Sequence, residues 1–133
     1  MKTHQKILIV DDEADFRIPL AKIISRRGLT VDTAESCSKA MAKMTADPFD
    51  VIVMDVSMPE ISGIHCLMLI KQEWPSAEVI ILTGHASVNS GIEGMKGGAF
   101  DYCLKPIDTN ELLEKIELAC EKVRITRDES FQP

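Results

Sequence analysis

The stretch Val51-Ile52-Val53-Met54-Asp55-Val56-Ser57-Met58-Pro59 runs four apolar residues into a carboxylate and then a turn, and its reading decides the fold. A continuous apolar run of that length, rich in β-branched residues, suits a strand buried on both faces, as at the centre of a parallel sheet. A carboxylate closing such a strand stands at the sheet's C-terminal edge, where the loops of open α/β sheets form a ligand crevice. Asp55 is therefore in a site position. Taken alone, it could equally cap the turn that follows, a common task for Asp.

Outward from this strand the chain alternates strand and helix patterns. Ile7-Leu8-Ile9-Val10 is a second all-apolar run, bounded by Asp11-Asp12. Val79-Ile80-Ile81-Leu82 is a third, ending on Thr83-Gly84. Leu29, Val31 and Thr33 alternate with polar residues, as in a half-exposed strand near a sheet edge. Phe100 to Leu104 reads as the fifth strand, with Lys105-Pro106 at its end.

Helical spacing fills the intervals. Phe16, Leu20, Ile23 and Ile24 share one face, Gly28 stops that helix, and Pro19 inside it predicts a kink or a loose first turn. Ser36 caps a helix whose inner face is Cys37, Ala40, Met41 and Met44, ended by Asp47-Pro48. Ser62-Gly63 opens the next, with Ile64, Leu67, Met68 and Leu69 or Ile70 inward, closed by Trp74-Pro75. A helix from about Ala86 to Lys96 has only Val88, Ile92 and Met95 as its apolar stripe. With Gly91 and Gly94 inside it, each costing up to about 1 kcal/mol against Ala, it is expected to be the weakest, and replacing both by Ala to stabilise it. Asp108 with Glu111 makes a capping box for the last helix, whose inner face is Leu112, Leu113, Ile116 and Cys120. The polar residues 125–133 lose this periodicity and read as a frayed tail or the start of a linker.

Five strand–helix units imply an α/β fold, a doubly wound five-stranded parallel sheet with helices on both faces and strand order 2-1-3-4-5, the flavodoxin-like order. The whole chain, 133 residues at 45% hydrophobic content, fits one domain, here residues 1–124. A net charge of −6 offers no footprint for nucleic acid or an anionic membrane, and no apolar run approaches a membrane span. Cys37, Cys66, Cys103 and Cys120 lack metal-binding spacing and read as small buried hydrophobes in a reducing, cytosolic compartment.

In the 2-1-3-4-5 order, Asp11, Asp12 and Asp55 converge at the switch point, joined by Thr83 and Lys105 from the ends of strands 4 and 5. Clustered carboxylates raise one another's pKa unless a cation compensates. An all-oxygen donor set suits Mg²⁺, with Mn²⁺ as a substitute. A carboxylate beside such an ion can attack phosphorus, forming an aspartyl phosphate, while hydroxyl and ammonium groups spread over the phosphoryl oxygens.

The ordered set Asp11-Asp12, Asp55-x-x-Met58-Pro59 with Gly63, Thr83-Gly84-His85-Ala86, and Gly98-Ala99-Phe100-Asp101-Tyr102-x-x-Lys105-Pro106 resembles the receiver domain of bacterial two-component response regulators, from Lys6 to about Arg124. The resemblance implies that Asp55 accepts the phosphoryl group of a sensor histidine kinase. It further implies that Asp12, Asp55 and the Ser57 backbone carbonyl ligate Mg²⁺ directly and Asp11 through water. Thr83 and Tyr102 would be the switch pair and Lys105 the phosphate partner, with a cis bond to Pro106. Ser57 and His85 would border the approach of hydrolytic water. Gly98 to Tyr102 is closer to receivers of the nitrogen-regulation and nitrogen-fixation types than to the winged-helix type, whose arginine-rich last helix is missing.

On this reading the protein is not a conventional enzyme: it phosphorylates and slowly dephosphorylates itself and switches conformation to control an effector domain or protein. Homodimerisation on phosphorylation is open to it; direct contact with nucleic acid or membrane is not expected. Two rival readings exist. A phosphohydrolase with an Asp nucleophile would carry Asp-x-Asp on the first strand, whereas Asp55 lies on the third. A flavodoxin-like mononucleotide binder would need small hydroxyl residues and Gly after strand 1, where Asp11-Asp12-Glu13 would repel a phosphate.

Overall fold

Apolar runs too short for helices and too continuous for surface strands build the centre of the molecule. In the computed structural model, which describes residues 5–84 and 88–130, they are β1 (Lys6–Val10), β3 (Val51–Asp55) and β4 (Glu78–Gly84). β2 (Thr30–Ala34) and β5 (Asp101–Lys105) flank them, and the parallel order is β2-β1-β3-β4-β5. The crossovers are α1 (Ala14–Arg26), α2 (Cys37–Ala46), α3 (Gly63–Glu73) and α4 (Val88–Lys96), and α5 (Thr109–Ser130) follows β5. The expected sheet order is the one observed, and the half-exposed β2 is indeed an edge strand.

Side-chain alternation along the central strands divides the interior in two. Leu8, Val10, Ile52, Met54, Val79 and Ile81 point to one face and pack with Cys37, Ala40 and Met44 of α2 and Cys66, Leu67 and Ile70 of α3. Ile7, Ile9, Val51, Val53, Ile80 and Leu82 point to the other, against Leu20 and Ile24 of α1 and Leu112, Ile116 and Cys120 of α5. Burying a Leu, Ile or Val contributes roughly 1.5–3 kcal/mol, so both faces hold the sheet.

Helix ends follow the local chemistry. Ser36 and Ser62 accept the backbone N–H of Lys39 and His65, and Asp108 accepts those of Asn110 and Glu111. After α1 the chain turns through Gly28 at φ +85°, a conformation that residues with a Cβ rarely adopt. α1 itself runs unbroken through Pro19.

Four features depart from the sequence reading. In α3 the inward stripe is Gly63, Cys66, Leu67 and Ile70, while Met68 is 56% exposed, because the helix sets its inner face by Cys66. In α4, Ile92 and Met95 face outward and the glycines face inward. A Cβ on Gly94 would lie 2.1 Å from Ile81 Cδ1, and one on Gly91 would lie 3.3 Å from the Tyr102 ring. The glycines are therefore a close-packing surface. Third, Cys37 and Cys66 form a disulfide between α2 and α3, where four separate thiols were expected; only Cys103 and Cys120 remain free. Fourth, α5 continues past Arg124 through Ser130.

The last departure has a visible cause. Asp50, just before β3 and nearly fully buried, accepts the Lys6 backbone N–H at 2.7 Å and pairs through its other oxygen with Arg127. Beside it the buried Glu78 meets Lys122 at 3.0 Å and Lys71 at 3.8 Å. Asp50→Ala, which strands a buried N–H, is expected to cost about 2 kcal/mol in urea unfolding. Arg127→Ala, on the half-exposed partner, should cost under about 1 kcal/mol; equal losses would refute this division. Gly94→Ala gains about 1 kcal/mol of helix propensity but overpacks Ile81 by roughly 1–3 kcal/mol, so a net loss is expected, and a raised unfolding midpoint would contradict it.

Candidate functional site

The C-terminal edge of the sheet gathers the acidic residues because β1 and β3 are neighbours in register. Val10 pairs with Met54, so the next residues, Asp11 and Asp55, emerge side by side. β4 and β5 complete the edge, with Asp55 opposite Leu82 and Thr83 opposite Leu104, which brings Thr83 and Lys105 to the same rim. Asp11 is fully buried, Asp55 is 2% exposed and Thr83 1% exposed, whereas Asp12 faces solvent. Carboxylate oxygens of Asp11, Asp12 and Asp55 all lie within 4.8 Å of one another.

Lys105 Nζ is 3.0 Å from Asp55 Oδ1 and 3.6 Å from Asp11 Oδ2. The ammonium also lies over the Phe16 ring, 5.0 Å from its centroid, so α1 closes the far side of the lysine. Burial pushes the Asp55 carboxyl above the usual carboxylate range, the neighbouring Asp11 charge adds to this, and the Lys105 hydrogen bond and the Ser57 backbone N–H pull only partly back. For Lys105, burial works against the charge, but the Asp55 hydrogen bond and the Asp55 and Asp11 charges overcome it and raise its pKa.

Asp11 is held on all sides but one. Its N–H donates to the Ala34 carbonyl at 3.1 Å, its carbonyl accepts from Arg17 Nη1 at 2.7 Å, and its Oδ1 accepts the Glu13 N–H at 2.9 Å. Oδ2 is buried without a hydrogen-bond partner among the described residues. Leaving such an atom unmatched costs roughly 1–3 kcal/mol. Its nearest cation, Lys105, is too far for a hydrogen bond. An orphaned anionic oxygen, facing two more carboxylates, is the donor set of a hard divalent cation such as Mg²⁺.

Each sequence-derived site residue can now be placed. Asp11, Asp12, Asp55 and Lys105 come together, with Thr83 beside them. Among the described residues the Thr83 hydroxyl makes one long contact, 3.5 Å to the Gly84 carbonyl. Ser57 lies on the exposed β3–α3 loop with its N–H toward Asp55. Tyr102 stands apart: the residue is 38% exposed, its ring lies against Gly91 of α4, and its carbonyl accepts from Lys115 at 2.6 Å. His85 lies outside the described residues. The Lys105–Pro106 bond is cis, as the motif implied.

Sequence reasoning missed three supporting residues. Phe16 was seen only as core, and Arg17 carried no periodic signal. Gly63 was noticed as part of a motif, but its role is steric: a Cβ there would lie 2.1 Å from the Asp55 carbonyl oxygen and 2.7 Å from Val56 Cα. Its own N–H donates to the Val56 carbonyl at 2.9 Å, so the start of α3 is pressed onto the peptide that carries Asp55.

Known proteins resemble this chain in sequence and fold. Residues 7–117 match the response regulator receiver domain family. The DNA-binding transcriptional regulator NtrC of Proteus hauseri is 33% identical over 113 residues, 85% of this chain and 24% of that protein. The response regulator protein PilR of Pseudomonas aeruginosa is 34% identical over 117 residues, 88% of this chain and 26% of that protein. This chain thus spans about a quarter of the length of these relatives. Among solved structures, a receiver domain protein from Clostridium thermocellum superposes with a TM-score of 0.86 at 34% identity, covering 92% of this chain and 98% of that one. NtrX from Brucella abortus gives 0.90 at 28% identity, covering 96% and 30%. Sheet order, acidic edge and sequence likeness agree, and the chain belongs to the response regulator receiver domain family.

Proposed function

We propose that this domain accepts a phosphoryl group on Asp55 from the phosphohistidine of a sensor histidine kinase and passes the signal on by a change of shape. The observation that supports it most is the pairing of two buried carboxylates, Asp55 and Asp11, with the single ammonium of Lys105 and an orphaned Asp11 Oδ2. Asp12, Asp55 and the Ser57 backbone carbonyl would hold Mg²⁺, or Mn²⁺ in its place, with Asp11 reaching it through water. Bound there, the ion neutralises the acidic cluster and the incoming phosphoryl charge.

The protein groups then have distinct tasks. Asp55, fixed at the strand end by the Ser57 N–H, presents its free oxygen to phosphorus. Lys105 releases its hold on Asp55 Oδ1 in favour of the phosphoryl oxygens, held over the Phe16 ring. Thr83 turns to donate to the same oxygens. Its departure leaves room for Tyr102 to swing inward from its half-exposed position, and α4, resting on that ring through Gly91, is re-set with it. The domain signals in this way and is not a conventional enzyme; slow self-dephosphorylation resets it.

The working location is the cytoplasm, and no described helix is long and apolar enough to cross a membrane. The partners are the kinase and a downstream effector domain or protein, with homodimerisation on phosphorylation as one output. The domain spans residues 1–124, and α5 carries the chain on from it to Ser130. Direct contact with nucleic acid is left to the effector.

Incubation with acetyl phosphate and Mg²⁺ is expected to add one phosphoryl mass to wild type and none to Asp55→Asn, read by intact mass spectrometry. Equal incorporation in both would overturn the assignment. Asp12→Ala should weaken Mg²⁺ at least tenfold in calorimetric titration, and unchanged affinity would mean that the ion lies elsewhere. The raised Asp55 pKa has a further consequence. The folded state holds this proton to higher pH than the unfolded chain, so the Asp55 contribution to stability falls as pH rises through that window. Without divalent ions, Asp55→Asn should therefore gain stability over wild type at neutral pH and lose that advantage near about pH 4; a gain independent of pH would be inconsistent with the buried charge.

A further inference from the structure

The Cys37–Cys66 disulfide ties the start of α2 to the first turn of α3. Cys37 is the first residue of α2 and Cys66 lies in the first turn of α3, their Cα atoms 5.8 Å apart and both side chains buried in one core face. Each is a few residues from a backbone contact that holds a site carboxylate. The Ala34 carbonyl, three residues before Cys37, accepts the Asp11 N–H. Gly63, three residues before Cys66, is seated against the Asp55 carbonyl oxygen, and the Cys66 N–H bonds the Ser62 carbonyl at 2.9 Å. The bridge therefore joins the junction that positions Asp11 to the helix start that positions Asp55.

We propose that Cys37 and Cys66 are a reversible thiol–disulfide exchange site for low-molecular-weight disulfides, and that its closure stiffens the support of the acidic cluster. Inside cells that keep thiols reduced, a disulfide persists only transiently and serves sensing or catalysis, so a pair placed here reports oxidant. This rests on the function and cytoplasmic location proposed above. Cys103 on β5 and Cys120 on α5 belong to the opposite core face, away from this pair, and burial pushes each thiol up to about 11.

The exchange balances as follows. The Cys37 thiolate, the slightly more exposed of the two at 3% against 0%, attacks one sulfur of the small disulfide. The small S–S bond breaks, one small thiolate leaves and takes up a proton, and a mixed disulfide remains on Cys37. The Cys66 thiolate then attacks Cys37 Sγ, the mixed bond breaks, and the second small thiolate leaves and is protonated. Two electrons pass from the cysteine pair to the small disulfide, and the two cysteine protons end on the released thiols.

The test equilibrates the protein in oxidised and in reduced glutathione, quenches it, and alkylates it under denaturing conditions for intact mass and peptide mapping. Hydrogen exchange over residues 34–40 and 55–67 and Mg²⁺ titration are then compared for the two forms and for Cys37→Ala with Cys66→Ala. The expected result is label on Cys103 and Cys120 only after oxidation and on all four cysteines after reduction. The oxidised form should show slower exchange in both segments and Mg²⁺ affinity about fivefold tighter, while the double variant is indifferent to the buffer. Full labelling after oxidation, a bridge that survives reduced glutathione, or exchange and affinity that are the same in both forms would each overturn the inference. If neither form binds Mg²⁺ while exchange still differs, the reading of the acidic cluster fails and the stiffening by the cysteine pair stands.

Discussion

Two carboxylates buried beside a single ammonium are the constraint on which this structure depends. Asp11 and Asp55 emerge from adjacent strands at the same height, and Lys105, the nearest cation, reaches both from β5. At effective dielectric constants near 20, like charges about 5 Å apart repel by roughly 3 kcal/mol, and the Asp11 charge adds to the raised pKa of Asp55 despite Lys105. The two carboxylates are held together by everything around them: the Ala34, Arg17 and Glu13 bonds to Asp11, the Ser57 N–H, and Gly63 under Asp55. On the function proposed above, that imbalance is what a cation and then a phosphoryl group would relieve.

The opposite edge of the sheet is its control. There Asp50 and Glu78 are also buried carboxylates, yet Asp50 is matched by the Lys6 N–H and Arg127, and Glu78 is paired with Lys122 at 3.0 Å with the Lys71 ammonium 3.8 Å away, so three cations serve two acids. Buried charges are tolerated when they are paired with opposite charge. One edge thus balances its acids and fastens α5, while the other leaves them short of partners. Burial alone does not set the two edges apart; the balance of positive charge does.

How much of this could be read from sequence depends on how local the cause is. Asp11, Asp55, Thr83 and Lys105 were legible because each ends an apolar run, and a strand's end fixes which edge its last residue reaches. The fold was legible for the same reason. Met68 and the stripe of α4 were misread because helical periodicity ranks side chains by hydrophobicity, and the inner positions here belong to Cys66, Gly91 and Gly94, which matter for their small size. The Cys37–Cys66 pairing and the Asp50–Arg127 contact join residues 29 and 77 positions apart, and no local pattern announces them. Phe16 beside Lys105 is a packing coincidence of α1 and β5 that only the assembled sheet reveals.

Gly63 carries a consequence for how this gene can vary. Any single-nucleotide change that alters a glycine codon to another amino acid installs a Cβ, and at this position that atom would meet main-chain atoms of Asp55 and Val56, which have no rotamer to escape into. The lesion would fall on the peptide that carries Asp55 while leaving the side chains of the acidic cluster in place. In a library of random missense variants selected for signalling, position 63 should be as bare of substitutions as position 55. A survey that equated intolerance with chemistry would score this glycine, wrongly, as a catalytic residue.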